Sequence, residues 1–302
     1  MDRRADIRDY LISRRAKITP DQAGLHTSDG DVRRVPGLRR EEVARLAGVS
    51  LDYYTELERG ALEKASDSVL DAVARALQLD QAERAHLFDL ARPAGSLLLP
   101  ASGDHIRPSV QRTLDAFTGG MALVRNRSWD YLAANHLGRA VYCEIFDGRT
   151  GPPNHVRYVF LDDRSRRFFD DWEAVAHDTA RILRTETGRD PTASRPRELI
   201  DELLTISDDF RTYWELHDVR LPASGRHRFL HPKVGPLDLI FEAASLRTDP
   251  GLTLLLATAT PDSDTDSALS QLALASEPHT AEWRAGRWSR FGYEPRSRRG
   301  AP

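Results

Sequence analysis

Nine side chains within one short stretch are of the types that hold and read DNA. Arg39 and Arg40 stand just before a helical pattern, and Ser50, Leu51, Asp52, Tyr53, Thr55, Glu56 and Arg59 would share the outward face of a helix running from Ser50 to Arg59. Guanidinium groups grip phosphate oxygens and fix position, whereas hydroxyl, amide and carboxylate groups tell bases apart by their edges. On that chemistry Arg39 and Arg59 are phosphate clamps. Arg40 lies near the groove edge for a phosphate or a base, and Ser50, Asp52, Tyr53 and Glu56 are the candidate base readers.

The elements that must position them are two short helices and a corner. Val43, Leu46 and Ala47 recur at helical spacing and are expected to face inward, with Arg39, Arg40 and Glu41 in water. Gly48 tolerates the positive φ of a tight helix exit, Val49 pins the corner, and Ser50 caps the next helix. Tyr54 and Leu57, three apart, point back at the first helix. A helix presented in this way enters the major groove by its N-terminal side chains. Any helical hairpin in a globular protein can show such a corner. Here glycine, pin, cap and both apolar stripes arrive in register, which favours the DNA-reading motif.

The flanks supply three more helices. Ile7, Tyr10, Leu11 and Ile18 give Arg3 to Lys17 an apolar stripe that must stop before Pro20; Ser66 caps a helix carrying Val69, Leu70, Val73, Ala74 and Leu77; and Asp80 with Glu83 forms an acidic capping box ahead of Leu87 and Leu90. Five helices are expected. The stretch from Arg34 to about Leu79, with RVPGLRREEVA leading into AGVSLDYYTELERG, resembles the helix-turn-helix domain of the Xre family of bacterial repressors. It departs from that family where Ala61, Leu62 and Glu63 replace the usual backbone-binding arginines, leaving only Lys64. Glu56 also stands where a neutral or basic reader would be electrostatically easier; it either accepts from a cytosine amino group or lowers affinity.

At 302 residues the chain is long enough for two domains, and its net charge of −3 counts against a non-specific DNA coater. A local cluster, Arg33, Arg34, Arg39 and Arg40, still suffices for a site-specific reader. The lone Cys143 excludes an intramolecular disulfide and fits a reducing compartment. No apolar run approaches the roughly twenty residues that span a bilayer, and the N-terminus lacks a secretory apolar region, so a cytoplasmic protein without membrane contact is expected. Breakers between Pro93 and Arg107 mark a linker. The expected division is therefore 1–92 for the helix-turn-helix domain, 93–107 for the linker, 108–275 for a second domain and 276–302 for a basic, aromatic tail.

The second domain reads as mixed, making the fold class α+β. Met121 to Val124 and Trp129 to Ala133 suit a hairpin; Leu137, Val141 and Ile145 keep a helical face; and Val156 to Leu161 is a further apolar segment. Trp172 to Thr187, Leu199 to Ile206 and Phe210 to Leu216 read as helices. Strands are expected at His227 to His231, Leu237 to Leu246 and Leu252 to Ala259, then a helix over Asp266 to Ala275. Strands at both ends imply one antiparallel sheet whose halves meet in space. The segments RYVFLDD (157–163), DWEAVAHDTARILRTETGRDP (171–191), FRTYWELHDV (210–219) and FLHPKVG (229–235) resemble the PAS-like ligand-binding domain of the MmyB-like transcriptional regulators. That likeness runs from about Pro108 to Ala275, with Ala134 standing where relatives commonly carry tryptophan. It implies a regulator whose pocket takes a small hydrophobic, fatty-acid-like molecule.

Large apolar residues that would frame such a pocket are Phe117, Met121, Leu123, Trp129, Leu132, Phe160, Trp172, Trp214, Phe229 and Phe241, each of which also has an ordinary role in a core. Arg157, His217 and Arg228 are candidate anchors for an acidic head group. Two rival readings follow from other residues. His217, Asp218, His227 and His231 suggest a metal-dependent hydrolase tethered to DNA, although neighbours in sequence and residues four apart on a strand converge poorly on one ion. A protein-interaction adaptor with a degenerate helix-turn-helix is the other. The tail mixes Trp283, Trp288, Phe291 and Tyr293 with arginines, a composition that suits nucleic acid, a partner subunit or disorder. The expectation as a whole is a non-enzymatic regulator without cofactor or metal, binding double-stranded DNA and a small hydrophobic ligand as a homodimer.

Overall fold

A computed structural model of the chain describes residues 3–25, 37–92, 105–148, 153–189, 193–221 and 224–275. The tail 276–302, Arg33, Arg34 and the linker from Pro93 to residue 104 lie outside them. The fold is α+β and separates into two compact units, one formed by residues 1–100 with 173–222 and the other by 101–172 with 223–302.

In the first unit the five expected helices form: α1 (Arg3–Lys17), α2 (Arg40–Ala47), α3 (Leu51–Glu58), α4 (Asp67–Ala76) and α5 (Gln81–Ala91), with a 3-10 turn at Leu62–Lys64. Ile7, Leu11, Leu38, Val43, Tyr54, Leu57, Leu70, Val73 and Leu87 are buried together. Leu46 is a correction, since it is 38 % exposed and Ala44 is buried in its stead. At about 100° per residue Val43, Ala47 and Ala44 lie within a 100° stripe, whereas Leu46 falls about 60° off its other side. The caps follow the sequence. Ser50 accepts from the amide of Tyr53 at 3.1 Å, Asp80 from that of Glu83 at 2.8 Å, and Glu83 in return from that of Asp80 at 3.0 Å. Leu62 is buried. The position that lacks the relatives' basic character therefore serves the core.

Three further helices belong to this unit: α10 (Trp172–Arg189) beyond its first residue, α11 (Ser194–Ile206) and α12 (Asp208–Glu215). Val219, just past α12, is buried in the same cluster as the helix-turn-helix core. Arg14 of α1 donates to Asp218 at 2.8 Å and also pairs with Glu83, while Lys17 pairs with Asp218 as well. These compact units cut the chain differently from the linker, because the segment 173–222 packs with residues distant from it in sequence.

The second unit is one sheet. Its strands are β1 (Met121–Arg125), β2 (Tyr131–Ala134), β3 (Gly225–His231), β4 (Gly235–Ser245) and β5 (Thr253–Thr258), ordered β2-β1-β5-β4-β3 and antiparallel throughout. Pairing of β1 with β5 joins the two sequence-distant halves, as expected. The helices are α6 (Pro108–Ala116), α7 (His136–Val141), α8 (His155–Leu161), α9 (Arg164–Phe168) and α13 (Asp264–Ala275). The apolar segment at 156–161 thus forms a helix. Helix α6 had not been expected; Pro108 stands at its first turn, where a missing amide costs nothing.

Candidate nucleic-acid interface and ligand face

The outward residues of α3 lie where the sequence places them. Ser50, Leu51, Asp52, Glu56 and Arg59 are exposed, Tyr53 and Thr55 are half-buried, and Tyr54 and Leu57 are buried. Gly48 has φ 68°, the left-handed turn that ends α2, and no atom lies within 4 Å of an added Cβ. Only backbone strain therefore selects glycine there. The Thr55 hydroxyl donates to Leu51 O at 2.8 Å, so it is already engaged within α3. Glu56 and Arg59 pair at 2.8 Å on the exposed surface. An exposed pair of this kind contributes about 0–1 kcal/mol, so it yields readily to a phosphate.

Arg40 is more constrained than a free reader. Its Nε donates to Glu58 Oε1 at 2.6 Å, and Arg15 Nε donates to Glu58 Oε2 at 2.8 Å. Glu58 is 1 % exposed, so two guanidinium groups neutralise a carboxylate that would otherwise be expensive to bury. Sequence reasoning missed Glu58. Its helical spacing next to Leu57 was the available signal, since it falls on the inner edge of α3. Arg39, half-buried at the N-cap of α2, lies 3.7 Å from Glu41.

The sheet sorts the predicted ligand residues by face. Cross-strand partners share a face, so the register puts Met121, Leu123, Phe229 and Phe241 on one side with Leu237, Leu239 and Ala257. Phe229 and Phe241 lie 5.8 Å apart, and Phe229 continues into Tyr142, Phe168 and Phe169. Phe117 and Leu132 are on the other side, packed with Leu114, Ala122 and Val124. A register shift between Val124 and Arg125 accounts for Leu132, because one extra residue reverses the alternation. Trp129, at φ 62°, lies with its ring tilted 36° to that of His155, centroids 5.5 Å apart; Phe160 lies 6.3 Å from Trp172, whose Nε1 donates to Val159 O at 3.1 Å. Trp214 and His217 belong to the first unit, and Arg228 is exposed 3.7 Å from Asp170. Arg157 is half-buried at the start of α8.

Arg125 lies just past the apolar run Met121 to Val124, yet it is the last residue of β1. It is buried, two positions beyond Leu123 on the same strand, with its guanidinium 4.0 Å over the Trp129 ring and a bond to Asn126 O at 3.3 Å. The parity of Met121, Leu123 and Arg125 was legible, but the length of β1 was not. Next to it, His155 Nδ1 faces the Tyr131 hydroxyl at 3.0 Å, and burial with the nearby Arg125 charge pushes the imidazole down to about 3. His155 is thus neutral at pH 7.

The residues of the rival metal reading do not converge. Asp218 is held by Arg14 and Lys17; burial alone would raise its carboxyl, but those hydrogen bonds outweigh it and keep it well below the usual carboxylate range. His231 Nε2 lies 3.0 Å from Ala140 O, and His227 packs edge-on against Phe241. Among the described residues no three histidine, cysteine, aspartate or glutamate side chains group as a metal site, and no helix is long and apolar enough to cross a membrane.

Comparison with protein families finds a helix-turn-helix domain over residues 14–87 and the MmyB-like transcription regulator ligand binding domain over residues 106–272. No curated protein matches the chain. The second match covers more than half of the sequence and contains every strand of the sheet, while the first contains α2, α3 and the exposed face between them. The chain therefore belongs to the MmyB-like regulators and, with both domains present, is a DNA-binding transcription regulator controlled by a ligand.

Proposed function

We propose that the protein is an Xre-type, sequence-specific regulator that reads a two-fold operator as a homodimer and responds to a fatty-acid-like ligand on its PAS-like sheet. The observation that carries the DNA reading is the capped helix α3, whose Ser50–Arg59 face is exposed while Tyr54 and Leu57 anchor it. Asp52, Tyr53 and Glu56 would meet base edges, with Arg39 and Arg59 on phosphates. Arg40 would act chiefly by bracing α2 to α3 through Glu58. Half-sites one helical turn apart, roughly 34 Å, suit a two-fold protein of this motif.

Support for the ligand class comes from the apolar sheet face of Met121, Leu123, Phe229 and Phe241 with a buried arginine, Arg125, at the end of the same row. An arginine in low-dielectric surroundings recognises a carboxylate strongly, and the apolar row suits an alkyl chain. A ligand shifts DNA binding only by its differential affinity for two arrangements of the protein.

Operator fragments selected from genomic DNA test the reading. Tyr53→Ala should abolish specific retardation at moderate salt while circular dichroism stays unchanged and melting falls only by what the lost packing of a half-buried ring costs. Retardation equal to wild type removes the assignment of α3. Glu56→Gln should strengthen binding, since it removes a negative charge from the field of the DNA and releases Arg59 from its ion pair for a phosphate. For the ligand, mass spectrometry of small molecules released from the purified protein should yield an aliphatic acid, diminished in Arg125→Met. Recovery of none, or of the same amount from the variant, rejects the fatty-acid assignment without touching the DNA reading.

A further inference from the structure

Within the first unit, α1, α5, α10, α11 and α12 line a small, partly open pocket of about 30 Å³ that the DNA and ligand readings do not use. Its charge is unbalanced. Arg184 and Arg197 line it against a single carboxylate, Asp6, and Arg3, whose guanidinium donates to Leu90 O and Ala91 O and lies 3.5 Å from Glu63, stands at its edge. Arg184 is 6 % exposed; one of its terminal nitrogens donates to Trp214 O, and the guanidinium lies 3.9 Å over the Trp214 ring. Among the described residues no carboxylate comes within ion-pair distance, 4.0 Å, of Arg184 or Arg197. A buried cation ordinarily has a paired anion. Burial lowers the Arg184 guanidinium to about 10, and the same desolvation raises Asp6, so the carboxylate present is itself poorly solvated.

A second wall carries an unused polar atom. His86 is 3 % exposed and its Nδ1 has no hydrogen-bond partner. The ring sits against Gly188, where an added Cβ would lie 2.6 Å from its Cε1 and 2.9 Å from Nδ1. Glycine at this point is what lets the imidazole reach the cavity wall. Burial first, and then the charges of Arg184 and Arg14, push His86 down to about 3, and a neutral imidazole retains one N–H donor.

We propose that this cavity is an anion site that takes the head group of a small carboxylate or phosphate, held by Arg184 and Arg197 with Arg3 at its rim. The volume exceeds what one water needs and suits a head group of a few heavy atoms, not a long chain. An anion bound here ties α1 and α5 of the helix-turn-helix domain to α10–α12. Occupancy therefore stabilises the DNA-binding domain in the form described. The site stands independently of α3 as reader and of the sheet as fatty-acid site.

The test uses the full chain at constant ionic strength, titrated calorimetrically with inorganic phosphate in one arm and sodium acetate in the other. Saturable binding is expected in at least one arm; phosphate alone identifies a phosphate ligand, acetate alone a carboxylate. Arg184→Met should weaken that binding at least tenfold and raise the melting temperature in anion-poor buffer, because it removes an unpaired buried charge. Arg226→Gln, on the sheet and paired with Asp238, should leave binding unchanged. Should Arg184→Met fail to fold, Arg197→Gln, at a half-buried position, carries the same expectation of weakened binding. Heats that do not saturate in either arm, or isotherms unchanged in the folded arginine variants, overturn the proposal.

Discussion

At the scale of single residues, burial decides roles that residue type leaves open. Glu58 and Glu56 are two apart on α3, yet the first is enclosed by Arg15 and Arg40 and the second lies in water against Arg59. Replacing Glu58 by Gln leaves two guanidinium groups without their carboxylate. Because Arg15 and Arg40 keep some solvent contact, we expect a loss of about 2 kcal/mol, below the range for fully buried pairs, measured as a lower urea midpoint. His155 gives a pH prediction. Its folded value, about 3, is below the ordinary 6.5. An unfolded chain therefore binds this proton first, stability is full above pH 6.5, and it falls as pH drops toward 3 at up to about 1.4 kcal/mol per unit. His155→Gln keeps an acceptor for Tyr131 without titrating, so the melting temperature between pH 7 and 4 should fall less steeply than in wild type. An unchanged slope would show that other groups set the acid sensitivity. Ser50 and Gly48 were legible in sequence because capping and left-handed turns are local; Glu58 was not, since its partners lie 18 and 43 residues away.

At the scale of elements, the junction of β1, β2 and α7 rests on Asn135. Its Oδ1 accepts from Ala122 N at 3.0 Å and Gly138 N at 2.7 Å, and its Nδ2 donates to Phe117 O at 2.6 Å and Gly120 O at 2.8 Å. Gly138 must lack a Cβ, which would meet Ala122 O at 2.9 Å. Asn135→Ala orphans several buried backbone groups and should cost about 3 kcal/mol, read as a lower midpoint of sheet unfolding followed by circular dichroism. A cost under about 1 kcal/mol would mean that water replaces the amide. The strands themselves were legible from alternation and turn residues. The face assignment of Leu132 was not, because a single-residue register shift changes no composition yet reverses which side a residue joins. Helix α6 escaped notice because its short, weakly apolar sequence resembles the linker before it, and only Leu114 of its residues is buried.

At the scale of the whole molecule, α10–α12 belong to the ligand-binding family by sequence and to the helix-turn-helix unit by packing. Val219 lies in the core of that unit, and Asp218 holds Arg14 and Lys17 of α1. A fragment ending at residue 92 loses these partners. It should melt at a lower temperature than the helix-turn-helix domain within the full chain, monitored by hydrogen exchange at the amides of Leu11 and Leu57; equal protection would show that 173–222 adds nothing to it. The sequence by itself determined the five N-terminal helices, the outward face of α3, the strands and the joining of their halves, because capping, periodicity and turn chemistry act over a few residues. Tertiary structure alone decided which carboxylates became buried partners, that Arg125 rather than Arg228 is enclosed beside the apolar row, and that Trp214 lines an arginine-rich cavity and not the sheet. Those outcomes depend on chain segments meeting across tens to hundreds of residues, where burial and charge pairing, not local propensity, set the free energy.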